Sequence, residues 1–260
     1  PAFTADVTYG GGFGNNNGSS DNGISGLWIG KYEAARSDTV GSTQGSATTL
    51  KVQPGQTSFR SIKIRNMYTY AREYSPTDLK SHMLKNSEWG AVAYLTESTY
   101  GRNGTEIANN TNSSYLTGGG TGTAYVDSNK LQSSTGNEYG IYDLRGGSYE
   151  YVAGYYNGSS SLSNGSSFAS IGGSSNEYST AYNSSGSSSA NLYYKYGDAT
   201  YETSGWHSDI TSFVDSDFPF FERGGDYEYY ASYTGVFCYL SYDGRATYYD
   251  GNSFRLALVV

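Results

Sequence analysis

Cysteine is almost missing from this chain: Cys238 stands alone among 260 residues. One thiol excludes an internal disulfide framework and any zinc site built from cysteines. Histidine is nearly as scarce. His82 and His207 lie far apart without metal-ligand spacing, so surface or hydrogen-bonded roles are expected for both. Charge is thin as well, at 15% of residues against a typical value of about 25%. Lys and Arg number 16 and Asp and Glu 24, a net charge of -8 with no basic cluster. That balance argues against nucleic acid and anionic membrane as partners. Nowhere do eighteen apolar residues run together, so direct membrane insertion through a helix is excluded.

What is abundant is glycine, 35 residues, and tyrosine, 29, beside only 10 Phe and 3 Trp. Aromatics at 16%, with apolar runs such as Leu27 to Tyr32, exclude disorder throughout. The length suits one large domain with a sizeable core. Residues 1–26 read as a flexible Gly/Asn-rich segment. The glycines there lack the following helix and the Lys-Ser or Lys-Thr of a phosphate cradle. The start at Pro1, with neither Met nor signal peptide, reads as a trimmed chain.

Periodicity predicts a strand over 27–35 and helical spacing at Phe59, Ile62, Met67, Tyr70 and Tyr74, with Thr57 or Ser58 as cap and Pro76 beyond the end. A second helix is predicted in the stretch 86–98, with Ser87 as cap and Trp89, Val92, Ala93 and Leu95 on the buried face. Strands are expected at 234–240 and 253–260. In the segment 157–191, Ser, Gly and Asn make up 25 of 35 residues, which predicts a solvent-exposed insertion with little area to bury. Two short helices among many strands and loops make the fold class α+β.

Four landmarks then occur in order: "LWIGKYEAA" from Leu27, "NSEWGAVAYL" from Asn86, "YGIYDLRGGSYEYVAGY" from Tyr139, and "FERGGDY" from Phe221 with a closing "SFRLAL" from Ser253. Their order and spacing resemble the formylglycine-generating-enzyme (sulfatase-modifying factor) version of the C-type lectin fold. The resemblance implies a single domain over 27–260, with short antiparallel strands and long irregular loops. The tail is more specific. An "RGG", a Tyr-, Asp- and Ser-rich stretch, a "GVF" strand and the closing "SFR" resemble the variable proteins of diversity-generating retroelements. There, miscopied adenines turn Asn codons into Tyr, Asp, Ser, Thr and others. The resemblance implies a variable region of about 224–255 whose ligand-binding residues are Asp226, Tyr227, Tyr229, Tyr230, Ser232, Tyr233, Tyr239, Ser241, Tyr242, Asp243, Arg245, Thr247, Tyr248, Tyr249, Asp250 and Asn252. Glu228 departs from that palette.

Composition supports a binding face independently. Eight tyrosines fall within residues 224–252. Tyrosine offers a large amphipathic area with only two χ angles to freeze, and Ser, Asn and Gly add adaptable hydrogen bonds. Val236, Phe237, Phe254 and Leu256 are expected to face inward while the tyrosines alternate outward. The expected partner is a protein or glycan ligand on a cell or phage surface, and the expected location a virion tail or bacterial cell surface. No cofactor and no catalysis are expected. The enzyme family needs a cysteine pair, and Cys238 is expected to be a buried, inert thiol. A conventional carbohydrate-binding lectin is the alternative, a sulfatase-modifying-type enzyme a more distant one.

Two "RGG" triplets, Arg145 to Gly147 and Arg223 to Gly225, are expected to use left-handed or closely approached backbone. Their arginines are expected to pair with Asp143, Glu150 or Glu222. Asp127, Asp143 and Glu150 are the candidate oxygen ligands for a structural calcium, although Gly147 replaces the Asn that the family often has there.

Overall fold

A computed structural model of the chain describes residues 27–36, 50–75, 79–118, 127–157, 178–182, 197–229, 232–241 and 250–259. Segment 1–26 and most of 157–191 lie outside them. The described residues form ten strands: β1 (Leu27–Ile29), β2 (Ala35–Arg36), β3 (Leu50–Lys51), β4 (His82–Met83), β5 (Tyr149–Tyr156), β6 (Thr180–Tyr182), β7 (Phe220–Gly224), β8 (Gly235–Leu240), β9 (Asn252–Phe254) and β10 (Leu256–Val259). Two α-helices, α1 (Ile64–Glu73) and α2 (Asn86–Glu97), complete an α+β fold.

β5 is the centre. β7 runs antiparallel along one edge, and β8 pairs antiparallel with β7. Along the other edge β9 and β6 follow one another, both parallel to β5, opposite Tyr149–Tyr151 and Gly154–Tyr156 respectively. A separate antiparallel sheet has the order β1-β10-β4, and β2 pairs with β3. Alternation along β5 feeds two cores. Tyr151, Ala153 and Tyr155 pack with Ile64, Met67 and Ala71 of α1. Val152 joins Trp89, Val92 and Ala93 of α2, together with Phe221 and Phe237.

The helices begin where local bonding lets them. α1 starts at Ile64 rather than near Thr57. Thr57 and Ser58 are drawn into bridges with Leu116 and Ala35, and Ser61 has φ 58, which no right-handed helix can accommodate. Phe59 and Ile62 still reach the core, but from an extended segment. At α2 the cap position is Lys85, whose N–H donates to the Glu88 carboxylate at 2.8 Å, the back-bond of a capping box. Ser87 therefore lies inside the helix. Trp89, Val92, Ala93 and Thr96 follow the i, i+3, i+4, i+7 stripe and are buried, so Leu95 falls outside it and is 42% exposed. Gly90 is required: a Cβ there would lie 1.8 Å from the Gly197 carbonyl oxygen.

Two predicted strands are broken, and both breaks serve one buried guanidinium. The 27–35 strand stops at Ile29 and resumes at Ala35, and the C-terminal strand is interrupted at Arg255. Arg255 is fully buried. Its Nε donates to Glu150 Oε2 at 2.9 Å, Nη2 meets Glu150 Oε1 and also donates to the Tyr142 carbonyl at 2.8 Å, and Nη1 donates to the Gly30 carbonyl at 2.8 Å. Two more buried carboxylates surround it. Glu33 accepts the Ser148 N–H at 2.9 Å, and Asp143 accepts from Asn110 at 3.0 Å and from the Gly118 N–H at 2.9 Å. Burial, then Asp143 and Glu150, push the Glu33 carboxyl well above its usual range. Asp143 and Glu150 are thus tied to Arg255 and its neighbours; the side chain of Asp127 lies outside the described residues.

The serine-rich insertion needs a correction. Its residues 178–182 are inside: Ser179 to Tyr182 are buried, Ala181 and Tyr182 join the two cores, and the Arg72 guanidinium lies 3.2 Å from the ring centroid of Tyr178. A short Ala-Tyr motif provides an interior strand because β5 has a free edge beyond β9.

Removing the buried cation should be costly. Arg255→Met is expected to destabilise the fold by about 3–5 kcal/mol, because it strands buried carboxylates without a partner. The loss should be smaller at pH 5 than at pH 8, since protonation relieves the stranded acids. Urea unfolding at the two pH values measures both effects.

Candidate ligand-binding face

The two "RGG" triplets meet. Gly146, Gly147, Gly224 and Gly225 all have φ between 72 and 81, which suits glycine, and the Gly146 N–H donates to the Gly224 carbonyl at 3.2 Å. Gly147 comes so close to Glu33 that a Cβ would sit 2.8 Å from Oε1. From this joint the tyrosine-rich segment leaves β7. Its root is fixed by the Tyr227 N–H, which donates to the Gly147 carbonyl at 3.0 Å, and by the Asp226 carboxylate, which accepts the Glu228 N–H at 3.0 Å.

The triplet arginines do not take the expected carboxylates. Arg145 pairs with Glu106 at 2.8 Å and donates to the Ile107 carbonyl. Arg223 is fully buried and donates to Asn86 Oδ1 at 2.9 Å and to the carbonyls of Ala199 and Asp198 at 2.7 and 2.6 Å. Its guanidinium lies 5.1 Å from the ring centroid of Tyr239. Glu150 is already held by Arg255, and Glu222 accepts from Asn252 at 2.6 Å.

The expected ligand-binding residues divide into three groups. Tyr229 and Tyr233 are 44% and 40% exposed, Asp250 is at the surface, and Tyr227 and Ser232 are half-buried. Asp226, Tyr239, Ser241 and Asn252 are buried and present no surface, which corrects the outward assignment for them. Tyr230, Tyr242, Asp243, Arg245, Thr247, Tyr248 and Tyr249 lie outside the described residues. Tyr239 is inside by strand parity. It sits two positions from Phe237, so both rings point to the same side and pack in the α2 core. The 210–213 loop then closes over it, with Ile210 and Ser212 exchanging main-chain bonds with Tyr239. Ser241 bonds the Phe213 carbonyl.

The other side of β8 supports the surface. Cys238 and Leu240 pack with Tyr149, and Tyr149 in turn meets the Tyr229 ring at 5.9 Å. Tyr229 meets Tyr233 at 5.7 Å. A second cluster adjoins through residues 227–229: Tyr227 meets Tyr115 edge-on at 4.7 Å, and the Arg60 guanidinium lies 3.5 Å from the Tyr115 ring centroid. Tyr115, Tyr149 and Arg60 were not expected from sequence. Nothing in the local pattern around Tyr115 marks it, and Tyr149 lies in β5, a strand that the sequence reading did not predict, where it shares the parity of Tyr151.

Cys238 is buried, its thiol donates to the Tyr233 carbonyl at 3.4 Å, and burial pushes its pKa up. His82 is buried against Glu88 at 2.8 Å, and His207 meets Glu97 at 2.9 Å. Among the described residues no three His, Cys, Asp or Glu side chains are arranged to hold a metal ion. No protein-family model and no curated protein matches the chain.

Exposure separates tyrosines that the sequence makes look alike. Tyr229→Ala and Tyr233→Ala should each change stability by about 1 kcal/mol or less. Tyr239→Ala and Phe237→Ala should each cost about 3–5 kcal/mol. Chemical denaturation of the four variants checks this; a benign Tyr239→Ala would place that ring outside the core.

The acids beneath the face also set a pH response. Burial raises Glu106 from 4.5 to about 7 and Asp209 from 3.8 to about 6, with Asp209 and Glu106 opposing one another near Arg145 and His207. Raised carboxylates bind more protons folded than unfolded, so their contribution is full below about pH 4 and is lost as pH rises through 7. Glu88 runs the other way: burial raises it but His82 and Lys85 outweigh that and hold it below 4.5, so its contribution is lost only in more acidic solution. Melting temperature should therefore fall between about pH 5 and 8, and Glu106→Gln should flatten the fall.

Proposed function

We propose that this chain is a ligand- or receptor-binding protein of the diversity-generating-retroelement type, displaying a tyrosine-rich surface on a C-type lectin-like scaffold of the formylglycine-generating-enzyme kind. The observation that supports it most is the division of labour inside one segment. Between Gly224 and Asn252, main-chain bonds and buried side chains from β7, β8 and β9 form the frame, while Tyr229 and Tyr233 stand out from it as paired rings. Exposed, mutually packed tyrosines with little catalytic equipment nearby are what a recognition surface uses.

The reading has no catalytic step. Cys238, the lone thiol, is sealed and engaged, and each histidine is engaged by a carboxylate. The ligand would be a protein or glycan presented on a cell or phage surface, and the protein itself would ride on a virion tail or bacterial envelope.

Two measurements test the reading. The genome that encodes the chain should carry a near-copy of the coding segment for residues 226–255, differing mainly at adenines; its absence favours an ordinary lectin. The double variant Tyr229→Ala, Tyr233→Ala should keep its melting temperature and weaken ligand binding about 30-fold or more, as hot-spot truncations of roughly 2 kcal/mol do. Unchanged binding would remove these two rings from the contact surface.

A further inference from the structure

One large ring outside the tyrosine-rich stretch is held at the surface rather than in the core. Trp206 stands over Phe237 with ring centroids 5.0 Å apart and is 43% exposed. It lies on the side of β8 that carries Phe237, opposite to the side that carries Cys238, Tyr149 and Tyr229. Its ring neighbours Phe237 and Tyr94 meet it at 70° and 84°, so neither lies flat on the indole. Among the described residues its Nε1–H has no hydrogen-bond partner. Trp89 shows what a tryptophan used for packing looks like here. It is fully buried, and its Nε1–H donates to the Val236 carbonyl at 2.8 Å.

The loop that presents Trp206 is strained and firmly tied. His207 and Ser208 have φ 52 and 66, left-handed backbone that is unfavourable for side chains, and Gly205 before them has φ 83. His207 Nε2 meets the Glu97 carboxylate at 2.9 Å, and its ring lies nearly parallel to Phe237. The Asp209 carboxylate accepts the Phe237 N–H at 3.0 Å, and the Ile210 N–H donates to the Ser232 carbonyl at 2.7 Å. Disfavoured backbone persists where its surroundings over-determine it, and such places cluster at ligand clamps. What this loop holds in place is a half-exposed indole with an unmet donor.

The polar groups around the indole are engaged or uncharged. Glu97 is held by His207, and Glu202 accepts the Tyr94 hydroxyl at 2.7 Å and the N–H groups of Gly197 and Ala199 at 3.0 and 3.1 Å. The exposed remainder of the loop is Ser204, Gly205 and Ser208, with the Ser204 hydroxyl 3.1 Å from that of Thr211. An ionic partner finds no unmet charge on this loop. An apolar protein surface finds one ring among small polar residues, not a continuous patch. We propose that Trp206 is a ligand site separate from the tyrosine face and that it takes a neutral sugar ring. The apolar C–H face of a pyranose lies on the indole, and a sugar hydroxyl accepts the Nε1–H. The proposal does not depend on the reading of Tyr229 and Tyr233.

The test is titration of the full chain with cellohexaose, maltohexaose, mannohexaose and chitohexaose, followed by NMR of the indole N–H signals. At least one sugar should shift the Trp206 signal, identified by its loss in Trp206→Phe, and leave that of buried Trp89 in place. Trp206→Phe keeps a ring over Phe237, so it should hold the melting temperature and weaken that sugar several-fold. Trp206→Ala should weaken it about tenfold or more. Raising NaCl should leave the affinity unchanged, because no charge takes part. The double variant Tyr229→Ala, Tyr233→Ala should bind the sugar as the parent does. Loss of the sugar in that variant would place it on the tyrosine face and overturn the proposal. So would binding that survives both Trp206 substitutions, or a Trp206 signal that none of the four sugars moves at up to about 10 mM. None of the results on Trp206 variants bears on the tyrosine face, so the two readings fail separately.

Discussion

The Arg255–Glu150 contact organises this molecule. A guanidinium with no access to water is stable only if its donors are met, and each acceptor that meets them comes from a different part of the chain: the bend after β1, the approach to β5, and β5 itself. That requirement ties the β1-β10 sheet to the central strand β5 of the other sheet at one point. It also explains why both terminal strands break where they do. Gly30 must turn a carbonyl toward the cation, and Arg255 must leave the ladder to reach the carboxylate.

From that constraint the rest follows in order. Glu33, drawn to the same cation, anchors the first glycine-rich turn through Ser148, and Asp143 holds the Gly118 N–H. The first turn then carries the second through the Gly146–Gly224 bond, and the second launches the tyrosine-bearing segment. The surface is therefore linked to the buried ion pair through Glu33, Ser148 and the main-chain bonds Gly146–Gly224 and Gly147–Tyr227.

Much of this was legible in the sequence, and the exceptions have physical causes. The α+β class and both helices follow from apolar periodicity, and the β8 strand from an apolar run that is buried on both faces. The left-handed glycines follow from the doubled "RGG". Helix starts were displaced because tertiary bridges at Thr57 and Ser58 outcompete local capping. The interior strand Thr180–Tyr182 was hidden in serine-rich sequence, since three residues are too few to show a period. Tyr239 was misplaced by reading composition over parity: tyrosine beside aspartate and serine looks exposed, yet its distance from Phe237 fixes its side. Tyr115 and Arg60 were invisible because their roles arise only when distant loops converge.

The joint between the two glycine turns has a further consequence. It is made of peptide groups, so no side-chain replacement on the outgoing segment can delete it. Replacing the exposed rings of Tyr229 and Tyr233 therefore leaves the attachment of the segment untouched, whereas replacing Tyr239 removes packing from the core beneath it.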